Sequence, residues 1–171
     1  KADQLARHNR NFALFFIDLD GLKTANDQWG HETGDNILRD AANRLRDVVR
    51  KSDCIGRLGG DEFLIIAECD EHSLTILANR FIQALRIHFG TGRKRGRISA
   101  SIGIAFSPVD GTDPNKLLRK ADAAMYSAKK EGGDRFHFAS RISACEYEKS
   151  ISAIDIEGAL DSDEICLWYQ P

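Results

Sequence analysis

Cys54-Ile55-Gly56-Arg57-Leu58-Gly59-Gly60-Asp61-Glu62-Phe63-Leu64-Ile65-Ile66-Ala67 is the stretch on which the fold turns. Two apolar runs, 54–58 and 62–67, flank a Gly-Gly pair. Glycine supplies the positive φ that tight hairpin connections demand, so the spacing predicts a β-hairpin carrying Asp61 and Glu62 at its tip. Upstream, Phe12-Ala13-Leu14-Phe15-Phe16-Ile17-Asp18-Leu19-Asp20 is a nearly continuous apolar run closed by two aspartates. Such a run is expected of a central strand covered on both faces, since a strand with one wet face would alternate. Alternate residues of a strand share a face, so Asp18 and Asp20 are expected to project together. An adjacent hairpin tip would bring one of the two consecutive carboxylates, Asp61 and Glu62, to join them.

Outward from these strands the apolar spacing becomes helical. Ile37, Leu38, Ala41, Ala42, Leu45, Val48 and Val49 predict a helix over 33–49, and Leu74, Leu77, Ala78, Phe81, Ile82 and Leu85 another over about 73–85. A basic, glycine-rich loop follows at 90–97, then strand alternation in Ile98, Ala100, Ile102, Ile104 and Phe106. Asp113-Pro114 is an N-cap followed by proline at the first helical position, opening a third helix that stops at Gly132-Gly133. Phe136 to Phe138 adds a short strand. Interleaved strands and helices with one hairpin predict an α/β (α+β) sandwich, a mixed sheet flanked by helices. In the 171 residues, 1–10 read as the end of a lead-in helix, 11–139 as one domain, and 140–171 as a linker helix (146–160) and a strand at 165–169. That strand is expected to lack partners within the chain and to open a further domain. With Lys1 in place of an initiator Met, a longer parent protein is expected.

Composition excludes several functions. Lys+Arg number 24 against 26 Asp+Glu, a formal charge of −2, whereas nucleic-acid affinity rests on basic excess. Arg93-Lys94-Arg95 has no aromatic platform beside it and reads as a solvated loop. No apolar run approaches the roughly 18 residues that a membrane span needs, and no signal-peptide pattern opens the chain. This segment is therefore expected to be cytoplasmic and to make no membrane contact, whether or not its parent is tethered. Cys54, Cys69, Cys145 and Cys166 form no C-x-x-C pair and read as reduced thiols rather than zinc ligands.

Carboxylates at a strand end are more often solvated caps than ligands, so the pairing of two such groups is what carries weight here. Asp18 and Asp20 facing Asp61 or Glu62 would repel one another unless a hard cation neutralised them. Mg²⁺ (or Mn²⁺) favours a few carboxylates plus substrate phosphates, which suits phosphoryl or nucleotidyl transfer.

Arg57-Leu58-Gly59-Gly60-Asp61-Glu62-Phe63 resembles the signature of the GGDEF family of bacterial diguanylate cyclases. Phe16-Ile17-Asp18-Leu19-Asp20-Gly21-Leu22-Lys23, with Asn26-Asp27, Gly30-His31 and Gly34-Asp35, is similar to the family's other long motif in order and spacing. Ser101-Ile102-Gly103-Ile104-Ala105 and Ala121-Asp122 with Met125-Tyr126 and Ala128-Lys129 match its later motifs, so the resemblance covers about Asn11 to Phe138. It implies a fold like nucleotidyl cyclase domains and polymerase palms. It implies also the condensation of two GTP into cyclic di-GMP and two pyrophosphates, by a homodimer in which each copy holds one GTP. Asp18, the Leu19 backbone carbonyl and Asp61 would hold Mg²⁺; Asp61 also matches the proton acceptor, and Glu62 a further catalytic or metal-linked carboxylate. Asn26 and Asp35 match the pair that recognises guanine, whose N1–H and N2–H a carboxylate can accept where adenine has no such donor pair. Lys23 and Lys129 match phosphate-contacting lysines, and Gly59 and Gly60 would let the backbone approach the phosphates. Arg50 and Asp53 match the family's Arg-x-x-Asp site, where product binds and inhibits.

Two departures qualify the match. Gly133 stands where the family places an arginine expected to touch phosphate, with Arg135 a candidate to compensate, and the family's usual opening motif precedes Lys1. The isolated segment is therefore expected to be weakly active or inactive. Leu167-Trp168-Tyr169-Gln170-Pro171 resembles the opening strand of an EAL phosphodiesterase domain. An alternative reading follows, a catalytically silent GGDEF domain that binds GTP or cyclic di-GMP and regulates a neighbouring EAL domain. A polymerase palm is disfavoured by the small size and the acidic charge.

Overall fold

The computed structural model describes residues 2–7, 10–91, 94–141 and 166–167. A central strand, β1 (Phe12–Asp20), pairs antiparallel with β3 (Glu62–Glu68) on one side and β5 (Lys94–Ser107) on the other. β2 (Cys54–Gly59) forms the expected hairpin with β3, β4 (Ile87–Thr91) forms a second with β5, and β6 (Arg135–Phe138) runs parallel to β5. The strand order is β4-β5-β1-β3-β2, mixed as expected. β1 is buried on both faces because helices cover both. α3 (His31–Val48) and α4 (Glu71–Leu85) lie over one face, and α1 (Ala2–Arg7) and α5 (Pro114–Lys130) over the other.

The period of two along β1 decides where the chemistry faces. Ala13, Phe15, Ile17 and Leu19 join the core cluster that contains Phe81, Leu85 and Leu45, whereas Phe12, Leu14 and Phe16 join Leu117, Ala121 and Met125 of α5. Each fully buried phenylalanine contributes about 1.5–3 kcal/mol relative to exposure. Asp18 continues the second series, so it points toward α5. The start of α5 follows from its sequence: Asp113 accepts from the Asn115 and Lys116 amides at 2.9 and 3.4 Å, and Pro114 occupies the first turn, where no amide donor is needed.

The structure adds two elements to those expected. Leu22–Trp29 is a short helix, α2, and the loop expected at 90–97 is largely hairpin strand, its first two residues closing β4 and 94–97 opening β5 four residues before the expected start at Ile98. α2 buries only Leu22 and Ala25, too few positions to register as a periodicity. β4 is held by its hairpin ladder to β5 and by Phe89 meeting Trp29 edge-on at 5.1 Å, the latter a contact remote in sequence. A further correction concerns the strand expected at 165–169 without partners: Cys166 and Leu167 (β7) pair antiparallel with Arg57 and Gly56 on the edge of β2. The expected linker helix at 146–160 lies outside the described residues.

Candidate active site

The β2–β3 hairpin closes through a two-residue connection, with Gly59 opposite Glu62 and Gly60 in the left-handed region at φ 51°. A non-glycine residue would be strained there. Arg57 ties the tip down, its Nε and a terminal nitrogen donating to the Gly60 carbonyl at 2.9 and 2.6 Å. The tip reaches the end of β1: Asp18 lies opposite Glu62 in the ladder, and the Leu19 amide donates to the Asp61 carbonyl at 3.2 Å. Asp18, Leu19, Asp61 and Glu62 thus come together, as the sequence predicts.

A cation already faces this group. Asp18 is 5% exposed, and Lys129 Nζ from the end of α5 donates to both its carboxylate oxygens at 2.7 and 2.8 Å. Burial raises the Asp18 pKa; the Lys129 hydrogen bond opposes this, and the charge on Asp61 adds to it. Glu62 is likewise raised, by burial first and then by the negative charges of Asp18, Asp122 and Asp61. Burial acts to lower Lys129, but its bond and attraction to Asp18 outweigh that, and its pKa is raised.

Asp122 is a member of this cluster to which the sequence reading assigned no role. Burial and the Asp18 charge push its pKa up to about 6. Its signal was available, because Asp122 and Lys129 are seven residues apart, two turns on one helix face. Asp20 shares the face of Asp18, as expected, and its charge adds to the raised pKa values of Asp18 and Lys129; its carboxylate is held by local donors, accepting from Ser99 Oγ at 2.9 Å, Ser101 Oγ at 2.7 Å and the Asp134 amide at 3.0 Å. Arg135, the candidate to replace the arginine missing at Gly133, is bound to Glu131 at 2.7 Å and to the Gly133 carbonyl at 3.2 Å.

The remaining predicted residues lie around this centre. Asp35 is exposed on α3 and lines a groove of about 460 Å³ between α3 and β2, together with Leu38, Arg39, Ile55 and Arg57. Asn26 lies in the last turn of α2, and its side-chain oxygen is buried with no hydrogen-bond partner among the described residues. Lys23 is exposed on the first turn of α2. Arg50 and Asp53 form the turn between α3 and β2, the Arg50 amide donating to Asp53 Oδ2 at 2.8 Å and the Asp53 amide to the Arg50 carbonyl at 2.9 Å. That turn is at the far end of β2 (Cys54–Gly59) from the Gly59-Gly60 tip, about 20 Å away at strand rise.

For a divalent cation the donor set is Asp18, Asp61 and the Leu19 carbonyl, all hard oxygens. Among the described residues no three His, Cys, Asp or Glu side chains form a ready cage. A divalent cation held here would therefore need substrate phosphates and water to complete its coordination. The Lys129 ammonium against both oxygens of Asp18 marks the position as one that takes positive charge. No described helix is long and apolar enough to cross a membrane.

Comparison with known proteins agrees with this architecture. A family model described as diguanylate cyclase, GGDEF domain, matches residues 1–135. The bifunctional diguanylate cyclase/cyclic di-GMP phosphodiesterase MucR of Pseudomonas aeruginosa is 41% identical over 170 residues, covering 98% of this chain and 25% of MucR. The chain spans between 25% and 38% of the length of such curated relatives, some named as cyclases and others as cyclic di-GMP phosphodiesterases. The GGDEF domain of YfiN (TpbB) from Pseudomonas aeruginosa superimposes with a TM-score of 0.75 at 30% identity, covering 88% of this chain and 87% of that one. The GGDEF domain of DgcB from Caulobacter crescentus, in complex with c-di-GMP, gives 0.68 at 25% identity, covering 81% and 83%. The palm-like mixed sheet and its Gly59-Gly60-Asp61-Glu62 hairpin are thus those of a nucleotidyl cyclase domain, and the chain belongs to the GGDEF family.

Proposed function

We infer that this domain is a diguanylate cyclase, condensing two GTP into cyclic di-GMP with release of two pyrophosphates. The observation that carries the reading is the meeting of Asp18, Asp61 and Glu62 at one end of the sheet. In each of two steps the 3′ oxygen of one GTP bonds to the α-phosphorus of the other, the bond to pyrophosphate breaks, and the hydroxyl proton passes to a base. Two copies of the domain facing each other supply the two nucleotides. Asp18, the Leu19 carbonyl and Asp61 would hold Mg²⁺, which when bound neutralises triphosphate charge and favours ionisation of the attacking hydroxyl. Asp61 and Glu62 are the candidate proton acceptors at the tip; burial and the negative charges of Asp18, Asp122 and Asp61 raise the Glu62 pKa, which makes it a better proton acceptor than an exposed glutamate. Lys129, with 46% of its side chain exposed, and Lys23 supply positive charge to the phosphates. Asn26 and Asp35 read the guanine, and Arg50 with Asp53 binds product away from the metal ligands.

Purified protein incubated with GTP and Mg²⁺ is expected to yield cyclic di-GMP and pyrophosphate, with a rate per molecule that rises with protein concentration. Asp61→Ala is expected to abolish the product while leaving the melting temperature near that of wild type. Product formation by that variant at an undiminished rate would end the assignment. A second reading is favoured by the engagement of both Asp18 oxygens by Lys129 and by Gly133 in place of a phosphate-contacting arginine. On that reading the domain binds GTP or cyclic di-GMP without turnover and regulates an attached phosphodiesterase domain. Nucleotide binding by calorimetry with no pyrophosphate released, at concentrations where the chain dimerises, would select it.

A further inference from the structure

Gly34 is the fourth residue of α3, where a glycine is unfavourable relative to alanine. Backbone conformation does not require it. Seven other glycines have positive φ, and Gly34 is not among them. Space does require it: a Cβ at this position would come within 1.8 Å of Asn26 Oδ1, 2.8 Å of its Cγ and 3.2 Å of its Nδ2. All three atoms belong to one carboxamide, which lies in the recess that the missing methyl leaves. The oxygen held there is buried and has no hydrogen-bond partner among the described residues, so packing against Gly34, rather than a bond, holds the group. The Asn26 backbone is fixed independently, its carbonyl accepting from the Gly30 amide at 2.8 Å. The residue after Gly34 is Asp35, which lines the groove.

We propose that Gly34 is a positioning residue for nucleobase selectivity: its lack of a side chain seats the Asn26 carboxamide beside Asp35 in the arrangement that reads guanine. This rests on the reading of Asn26 and Asp35 as the guanine-recognising pair. The atoms that a new Cβ would strike are the far end of a side chain and not backbone. Gly34→Ala should therefore fold, with Asn26 giving way.

The test is a cycle of four full-length chains, wild type, Gly34→Ala, Asn26→Ala and the double variant, followed by calorimetric titration with GTP and with ATP and by thermal melting. Gly34→Ala is expected to lose about tenfold in GTP affinity, the equivalent of one good hydrogen bond, with ATP affinity unchanged. In the Asn26→Ala background the same substitution should cost no further GTP affinity. Its effect on the melting temperature should there be more favourable by about 2–4 °C, because only the gain in helix propensity remains. Retention of GTP preference by Gly34→Ala, or an equal loss in both backgrounds, would overturn the proposal. Equal affinity of wild type for GTP and ATP would overturn the guanine reading, and the selectivity role of Gly34 with it. The melting cycle would in that case still distinguish a seated Asn26 from an independent one.

Discussion

Gly133 is the residue at which this chain departs from the family pattern, and its surroundings account for the departure. Its φ is 70°, between Gly132 at 105° and Asp134 at 52°, so three successive residues are left-handed. A Cβ on Gly133 would meet Asp20 at 2.6 Å from Oδ2, 2.7 Å from Cγ and 2.9 Å from Oδ1. Asp20 has little freedom to retreat, because Ser99, Ser101 and the Asp134 amide hold its carboxylate. Asp134 is itself pinned by ion pairs to Arg86 at 2.9 Å and to Arg97. Restoring the arginine with Gly133→Arg is therefore expected to destabilise the fold by about 1–3 kcal/mol, through backbone strain and crowding, and to add no affinity for GTP. Urea denaturation and calorimetry check the two halves. Unchanged stability with tighter GTP binding would mean that the Asp20 latch is free to open.

At the scale of elements, the position of α5 decides whether Asp122 and Lys129 reach the site. α5 lies close on β5 because Gly103 has no side chain: a Cβ there would be 1.8 Å from the Ala121 carbonyl oxygen and 2.3 Å from the Met125 amide nitrogen. Both atoms are backbone, and neither can rotate away. Gly103→Ala must push the helix off the sheet, so it is expected to cost about 3 kcal/mol, the upper end of ordinary overpacking, and to separate Lys129 from Asp18. Gly56 on β2 is the control, since nothing lies within 4 Å of a Cβ built there, and Gly56→Ala should stay within about 0.5 kcal/mol of wild type. Chemical denaturation of both variants measures the contrast. Equal effects would show that α5 does not rely on the close approach.

For the molecule as a whole, the buried carboxylates predict how stability varies with pH. Asp122 is pushed up to about 6 in the folded protein by burial and by Asp18, while an unfolded aspartate titrates near its ordinary value of about 3.9. A folded-state pKa above the unfolded one means that the folded protein binds the extra proton between these values. Its stabilising contribution is present below about pH 4 and is lost as pH rises through about 6. Asp122→Asn removes that dependence. The variant's stability relative to wild type is expected to increase between pH 4 and pH 7, as measured by urea denaturation in the absence of divalent cations. Added Mg²⁺ should narrow the gap at pH 7 by neutralising the cluster. A difference that stays constant over this range would show that neither burial nor the charge of Asp18 raises the Asp122 pKa.

The local patterns carried the framework. β1 was readable because a strand covered on both faces leaves an unbroken apolar run, the hairpin because Gly59-Gly60 meets a steric requirement, and α5 because its N-cap and proline are local devices. Asp18, Asp61, Glu62 and Lys129 were legible as candidates because their spacing in the motifs is a property of the chain itself. The rest depended on contacts between residues far apart in sequence. Nothing near Asp20 announces that Ser99, Ser101 and the Asp134 amide will claim its carboxylate, nor does anything near Phe89 announce that Trp29 will meet it and help hold β4. Asp122 became part of the cluster only when α5 docked against β1 and β5, because the pKa of a carboxylate is set by the charges and the burial that surround it in space. Periodicity and sterics act along the chain and can be read from it, whereas desolvation, charge coupling and the space left by an absent side chain arise only once the chain has folded.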